Sequence, residues 1–84
     1  MRLEIYVADQ CEPCQHALLI AEEAKRIPGL EVAVITLDET TPSTSPNVNA
    51  VPTYLLDGRV VSLGNPAPET FLAYLRQHVE EHVL

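Results

Sequence analysis

A chain of 84 residues, 46% of them apolar, makes one globular domain with a single modest core. Its formal charge is −7 and its five basic residues (Arg2, Lys25, Arg26, Arg59 and Arg76) form no stripe, which argues against nucleic acid as a partner. No apolar stretch approaches the roughly 20 residues of a spanning helix, and the start Met-Arg-Leu-Glu-Ile-Tyr is too alternating for a signal peptide, so a cytoplasmic protein away from membranes is expected.

Residues 2–8 read as the first strand, with Leu3, Ile5 and Val7 on one face and Glu4, Tyr6 and Ala8 on the other. Asp9-Gln10 then lead into Cys11-Glu12-Pro13-Cys14. A helix begins between Cys11 and Pro13, because proline suits a first turn whose N–H has no intrahelical partner. Ala17, Ile20, Ala21, Ala24 and Ile27 recur at helical spacing as an apolar stripe, and Pro28-Gly29 closes the helix. Glu31 to Leu37 is β-branched and almost continuously apolar, the pattern of a strand buried on both faces and parallel to the first. Strand, helix and parallel strand make a right-handed βαβ unit.

Asp38 to Ala50 is rich in Thr, Ser, Pro and Asn and reads as a loop, long enough to point to a mobile or functional segment. Thr53–Leu56 and Arg59–Leu63 flank Asp57-Gly58, a strong hairpin signal. Gly64 follows, then Asn65 as a candidate N-cap with Pro66 and Pro68 in the first turn of a second helix. Phe71, Leu72, Leu75, Val79 and Val83 give that helix its stripe. The elements fit a four-stranded mixed sheet with one helix on each face.

Two cysteines are too few for the disulfide framework of a small secreted domain, and a bridge within C-x-x-C would constrain little of the unfolded chain. Redox chemistry or metal binding explains the pair better than stapling, and C-x-x-C at a strand-to-helix turn is the signature of a thiol–disulfide redox site. The attacking species is a thiolate. Cys11, at the helix N-terminus, faces free N–H groups and the positive end of the dipole, so it is the expected nucleophile. Cys14, one turn inside, is the expected resolving thiol. The redox-active disulfide is then the only cofactor the chemistry calls for.

Asp9 and Glu12 oppose the helix terminus, since carboxylates beside Cys11 disfavour its thiolate. A less stable thiolate means a less stable reduced form, so the couple should lie nearer to about −270 mV than to about −120 mV. The competing reading makes both acids exposed turn residues. A zinc site built on Cys11, Cys14 and His16 would lack a fourth ligand and would need His16 off its helix face, so no metal is assigned. His78 and His82 read as solvated residues near C-terminal carbonyls. Tyr6 and Tyr54 read as packed strand aromatics.

This order of elements resembles the thioredoxin/glutaredoxin superfamily. Cys11-Glu12-Pro13-Cys14 opens the first helix, Val51-Pro52-Thr53 opens the third strand, and Tyr54 to Gly64 forms the strand–turn–strand that ends in glycine. The resemblance covers essentially the whole chain. It implies a thioredoxin-like fold, a cis bond before Pro52 beside the cysteines, and a substrate-binding rim of Val51, Pro52, Thr53 and Gly64. Val51 would offer its backbone N–H and C=O to an extended substrate segment. The implied activity is dithiol reduction of disulfides in partner proteins by a monomer, with electrons from a thioredoxin-reductase-like or glutathione donor.

The chain departs from the family in three places. The Gly-Gly-acidic segment with which glutaredoxins hold glutathione is replaced by Gly64-Asn65-Pro66-Ala67-Pro68. The buried carboxylate of thioredoxins falls at Ile5, and the tryptophan before their first cysteine falls at Gln10. Two alternatives stay open: a glutaredoxin-like, glutathione-dependent oxidoreductase, and a non-enzymatic binding module whose cysteines are inert or hold metal.

Overall fold

The computed structural model describes residues 1–9, 11–37 and 51–83, so the expected loop at 38–50 and Gln10 lie outside the described residues. Its elements are β1 (Arg2–Ala8), α1 (Glu12–Ala24), β2 (Glu31–Leu37), β3 (Thr53–Leu56), β4 (Arg59–Leu63) and α2 (Pro68–Val83). The four strands lie in the order β2-β1-β3-β4. β2 runs parallel to β1, with Leu3 opposite Val32 and Val7 opposite Thr36. β3 is antiparallel to β1, with Tyr6 opposite Thr53, and β4 is antiparallel to β3.

The hairpin turn is built as its sequence demands. Asp57 and Gly58 have φ of 50° and 86°, the two positive values of a type I′ turn. The turn is tied to the start of β1: Asp57 N–H donates to the Arg2 carbonyl at 2.9 Å, and Asp57 Oδ1 accepts from Arg2 N–H at 2.8 Å.

One core holds the fold together. Leu3, Ile5 and Val7 of β1 join Tyr54 and Leu56 of β3, Ala17, Ile20, Ala21 and Ala24 of α1, and Phe71, Leu72, Leu75 and Val79 of α2. Both helices therefore pack on the same face of the sheet, which corrects the expectation of one helix on each face. An apolar stripe says that a helix is buried on one side, and nothing in it says which side of the sheet it meets. On the opposite face Tyr6 and Leu55 are buried, with Ile35 and Leu37 packed against them.

Two further expectations change. β2 is half-buried rather than enclosed, because among the described strands it lies at the edge beside β1. The first helix stops at Ala24, and the chain continues in tight turns in which Arg26 N–H donates to Glu23 and Ile27 N–H to Ala24. Ile27 still reaches the core.

Candidate functional site

β1 runs out of the sheet at Ala8, and α1 starts four residues later with Cys11 as its N-cap. Cys11 is extended (φ −112°, ψ 106°), and its sulfur accepts from the Cys14 N–H at 3.2 Å. The same N–H also reaches the Cys11 carbonyl at 3.2 Å. The cap is thus made by a sulfur where serine or aspartate would ordinarily serve. Pro13 sits in the first turn, where no N–H is missed.

Cys11 and Cys14 form a disulfide with Cα atoms 5.2 Å apart. The two sulfurs live in different surroundings. Cys14 is 3% exposed and belongs to the core, whereas Cys11 is half-buried at its margin. Glu12 and Pro13 are exposed between them, and Asp9 is exposed just before. A groove of about 210 Å³ opens beside the bridge, lined by Val7, Ala8, Asp9, Gln15, Leu18 and Thr36. None of those residues is basic. The positive influence on Cys11 comes from the helix terminus and its N–H groups.

Val51 and Pro52 enter β3 through a cis peptide bond. β3 is antiparallel to β1, so its first residue, Thr53, lies opposite Tyr6 near the end where β1 gives way to the cysteines. The Pro52 carbonyl accepts from Gly64 N–H at 2.8 Å. The next residue, Asn65, extends its side chain to the Pro13 carbonyl at 2.7 Å. Val51, Pro52, Gly64 and the Cys11–Cys14 turn therefore share one end of the molecule. Pro52 and Thr53 are buried and Val51 is half-buried, so Val51 is the member of that segment that meets solvent.

Asn65 does not cap α2, which begins at Pro68 with Phe71 N–H donating to the Ala67 carbonyl at 2.9 Å. It bridges instead: its Oδ1 accepts from the Tyr54 hydroxyl at 2.8 Å while its Nδ2 holds Pro13. Tyr54 is fully buried, its ring edge-on to Phe71 at 5.3 Å, and burial raises its hydroxyl to about 12. Ile5 is buried in the core where thioredoxins carry their carboxylate.

Among the described residues no three His, Cys, Asp or Glu side chains gather as metal ligands. His16 faces a separate groove shared with Leu19, Pro66 and Leu72. His78 has its Nδ1 3.0 Å from the Tyr74 carbonyl and its ring over Tyr74. The side chain of His82 lies outside the described residues.

Sequence reasoning missed two features. The Tyr54–Asn65–Pro13 bridge joins residues far apart in the chain. Leu18 and Leu19, read only as part of the helix, are 45% and 68% exposed, and Leu18 borders the disulfide groove.

The thioredoxin domain matches residues 1–76. This chain belongs to the thioredoxin domain family. No curated protein matches it. The strand order, the disulfide at the start of the first helix and the cis bond before Pro52 agree with the membership. Among the described residues no helix is long and apolar enough to cross a membrane.

Proposed function

We propose that the protein is a thiol–disulfide oxidoreductase that reduces disulfides in partner proteins. The observation that carries this reading is the asymmetry of the bridge: a half-buried cysteine whose sulfur accepts a helix N-terminal N–H, bonded to a buried one. In the reduced form Cys11 thiolate attacks one sulfur of a substrate disulfide. A mixed disulfide forms and the departing substrate thiolate takes up a proton. Cys14, deprotonated, then attacks Cys11 Sγ, which closes the Cys11–Cys14 bond and releases the second substrate thiol. Two electrons pass from the protein dithiol to the substrate. A thiol-based donor, either a dithiol reductase or glutathione, returns them.

Val51 would align an extended substrate strand, and Leu18 would supply an apolar contact beside the groove. The proposed setting is the cytoplasm, and the proposed working form is a monomer.

The test is equilibration in graded ratios of reduced to oxidised dithiothreitol, with alkylatable thiols counted by mass. A reversible two-thiol transition at a reducing potential is expected. Thiols that stay unreactive under native conditions, or a bridge that never forms, would leave an inert or metal-holding pair and end the enzyme reading. Loss of turnover on omitting glutathione would move the assignment to the glutathione-dependent alternative.

A further inference from the structure

The peptide group between Pro13 and Cys14 is engaged at both ends. Its N–H, on Cys14, donates to Cys11 Sγ at 3.2 Å, shared with the Cys11 carbonyl. Its C=O, on Pro13, accepts from Asn65 Nδ2 at 2.7 Å. Asn65 Oδ1 accepts in turn from the Tyr54 hydroxyl at 2.8 Å. The orientation of the carboxamide follows from the partners: a carbonyl only accepts, so Nδ2 faces Pro13 and Oδ1 is left for the phenol. Every donor in the series points the same way, from Tyr54 through Asn65 and the peptide group to the sulfur of Cys11.

Hydrogen bonds arranged in series polarise one another, strengthening each by about 10–30%. A bond accepted at an amide oxygen draws charge towards that oxygen and makes the N–H of the same amide a stronger donor. Here that N–H is the one on Cys11 Sγ. The head of the series is fixed, because Tyr54 is fully buried against Phe71. Its hydroxyl, raised to about 12 by burial, stays a donor across the physiological range. Among the described residues lining the disulfide groove there is no lysine or arginine that would do the same work by charge.

We infer that Asn65 and Tyr54 are positioning residues that tune Cys11 through the Pro13–Cys14 peptide group, favouring its thiolate and hence the reduced protein. The inference rests on the proposed role of Cys11 as nucleophile. It also orders the two residues: Tyr54 acts only through Asn65.

The experiment compares the full chain with Tyr54→Phe, Asn65→Leu and the double variant. Two quantities are read on each: the pKa of Cys11 in the reduced protein, from thiolate ultraviolet absorbance, and the dithiothreitol equilibrium at neutral pH. Asn65→Leu is expected to raise the Cys11 pKa by about half a unit, a roughly threefold change in thiolate stability. The redox equilibrium shifts by at most the same threefold, which makes the couple more reducing by up to about 14 mV. Tyr54→Phe should give a smaller rise, and no rise once Asn65 is leucine. An unshifted pKa in Asn65→Leu, or an equal effect of Tyr54→Phe in both backgrounds, overturns the inference. If Asn65→Leu fails to fold, Tyr54→Phe decides alone, since it keeps the ring and its packing: an unshifted pKa there is equally fatal. A wild-type protein without a two-thiol transition would instead remove the oxidoreductase reading beneath it.

Discussion

Cys11 and Cys14 are chemically identical, and burial separates them: one caps a helix at the surface, the other is 3% exposed in the core. Attack needs access and a favoured thiolate, so Cys14→Ser should leave a protein that traps a mixed disulfide through Cys11. Cys11→Ser should leave a thiol that alkylates at least about tenfold more slowly; mass spectrometry of the adducts checks both. Glu12 is exposed in the first turn beside Cys11, where its charge is expected to disfavour the thiolate. Removing its charge in Glu12→Gln should raise the potential by about 10 mV, given helix-end charge effects of a few tenths of a kcal/mol. An unchanged or lower value would overturn that role for Glu12. Tyr54 links the site to stability through its hydroxyl, raised by burial from 10.0 to about 12. The unfolded chain loses this proton near pH 10 while the folded chain keeps it to about 12. Stability is thus full below pH 10 and falls as pH rises through that window, by up to about 3 kcal/mol. Denaturant titrations of wild type and Tyr54→Phe across it should show a fall that the variant lacks. The cysteines were legible because local spacing carries them, and Pro52 because Val51-Pro52-Thr53 resembles the family segment that opens the third strand. Asn65 was not, because its partner Pro13 lies 52 positions away, and a residue between glycine and proline reads locally as a cap.

Elements obeyed local chemistry where local chemistry sets them. Asp57-Gly58 dictated the hairpin, and alternation dictated which side chains of β1 face the helices. What depends on the neighbours of an element stayed hidden. β2 carries the composition of an enclosed strand yet lies at an edge, and β4 holds an irregularity that no residue announces, since Tyr54 pairs with Ser62 while Leu55 pairs with Val60. The side of the sheet on which α2 packs was hidden for the same reason. That packing gives Gly29 a weight its turn sequence does not show. Gly29 has φ 85°, and a Cβ there would lie 3.0 Å from Val79 Cγ1 on α2. Gly58 has φ 86° and nothing within 4 Å. Gly58→Ala should therefore cost only the backbone penalty, about 1 kcal/mol. Gly29→Ala should cost about 2 kcal/mol or more, because side-chain overlap in a packed contact adds to the same penalty. Denaturant unfolding of each would check the order. A double-mutant cycle with Val79→Ala should show favourable coupling at Gly29, whose absence would mean that the helix simply moves aside.

Across the whole molecule, charge is distributed with a polarity that composition alone could not reveal. The chain carries −7, and four of its five cations lie away from the disulfide. Arg2 starts β1 and pairs with Glu31 at 3.0 Å, at the end of the strand opposite Cys11. Arg59 follows the hairpin turn at that same end, while Lys25 and Arg26 sit past the far terminus of α1, paired with Glu22 and Glu23. A helix of 13 residues places that terminus about 20 Å from the capping sulfur. The site end keeps Asp9 and Glu12 with no described cation beside the groove. Net charge and these two acids predict a negative field at the disulfide end, strongest at low ionic strength, where the screening length is about 30 Å rather than about 8 Å. Net charge then acts on encounter rates more than on bonding. The reduced protein should react faster with the dicationic disulfide cystamine than with anionic oxidised glutathione, after correction for each reagent's own reactivity towards a small thiol. Stopped-flow rates at rising salt should bring the two corrected values together. Equal corrected rates at low salt would mean that the helix terminus and its N–H groups offset the surrounding acids at the point of attack, leaving substrate choice to the apolar and backbone contacts of Leu18 and Val51.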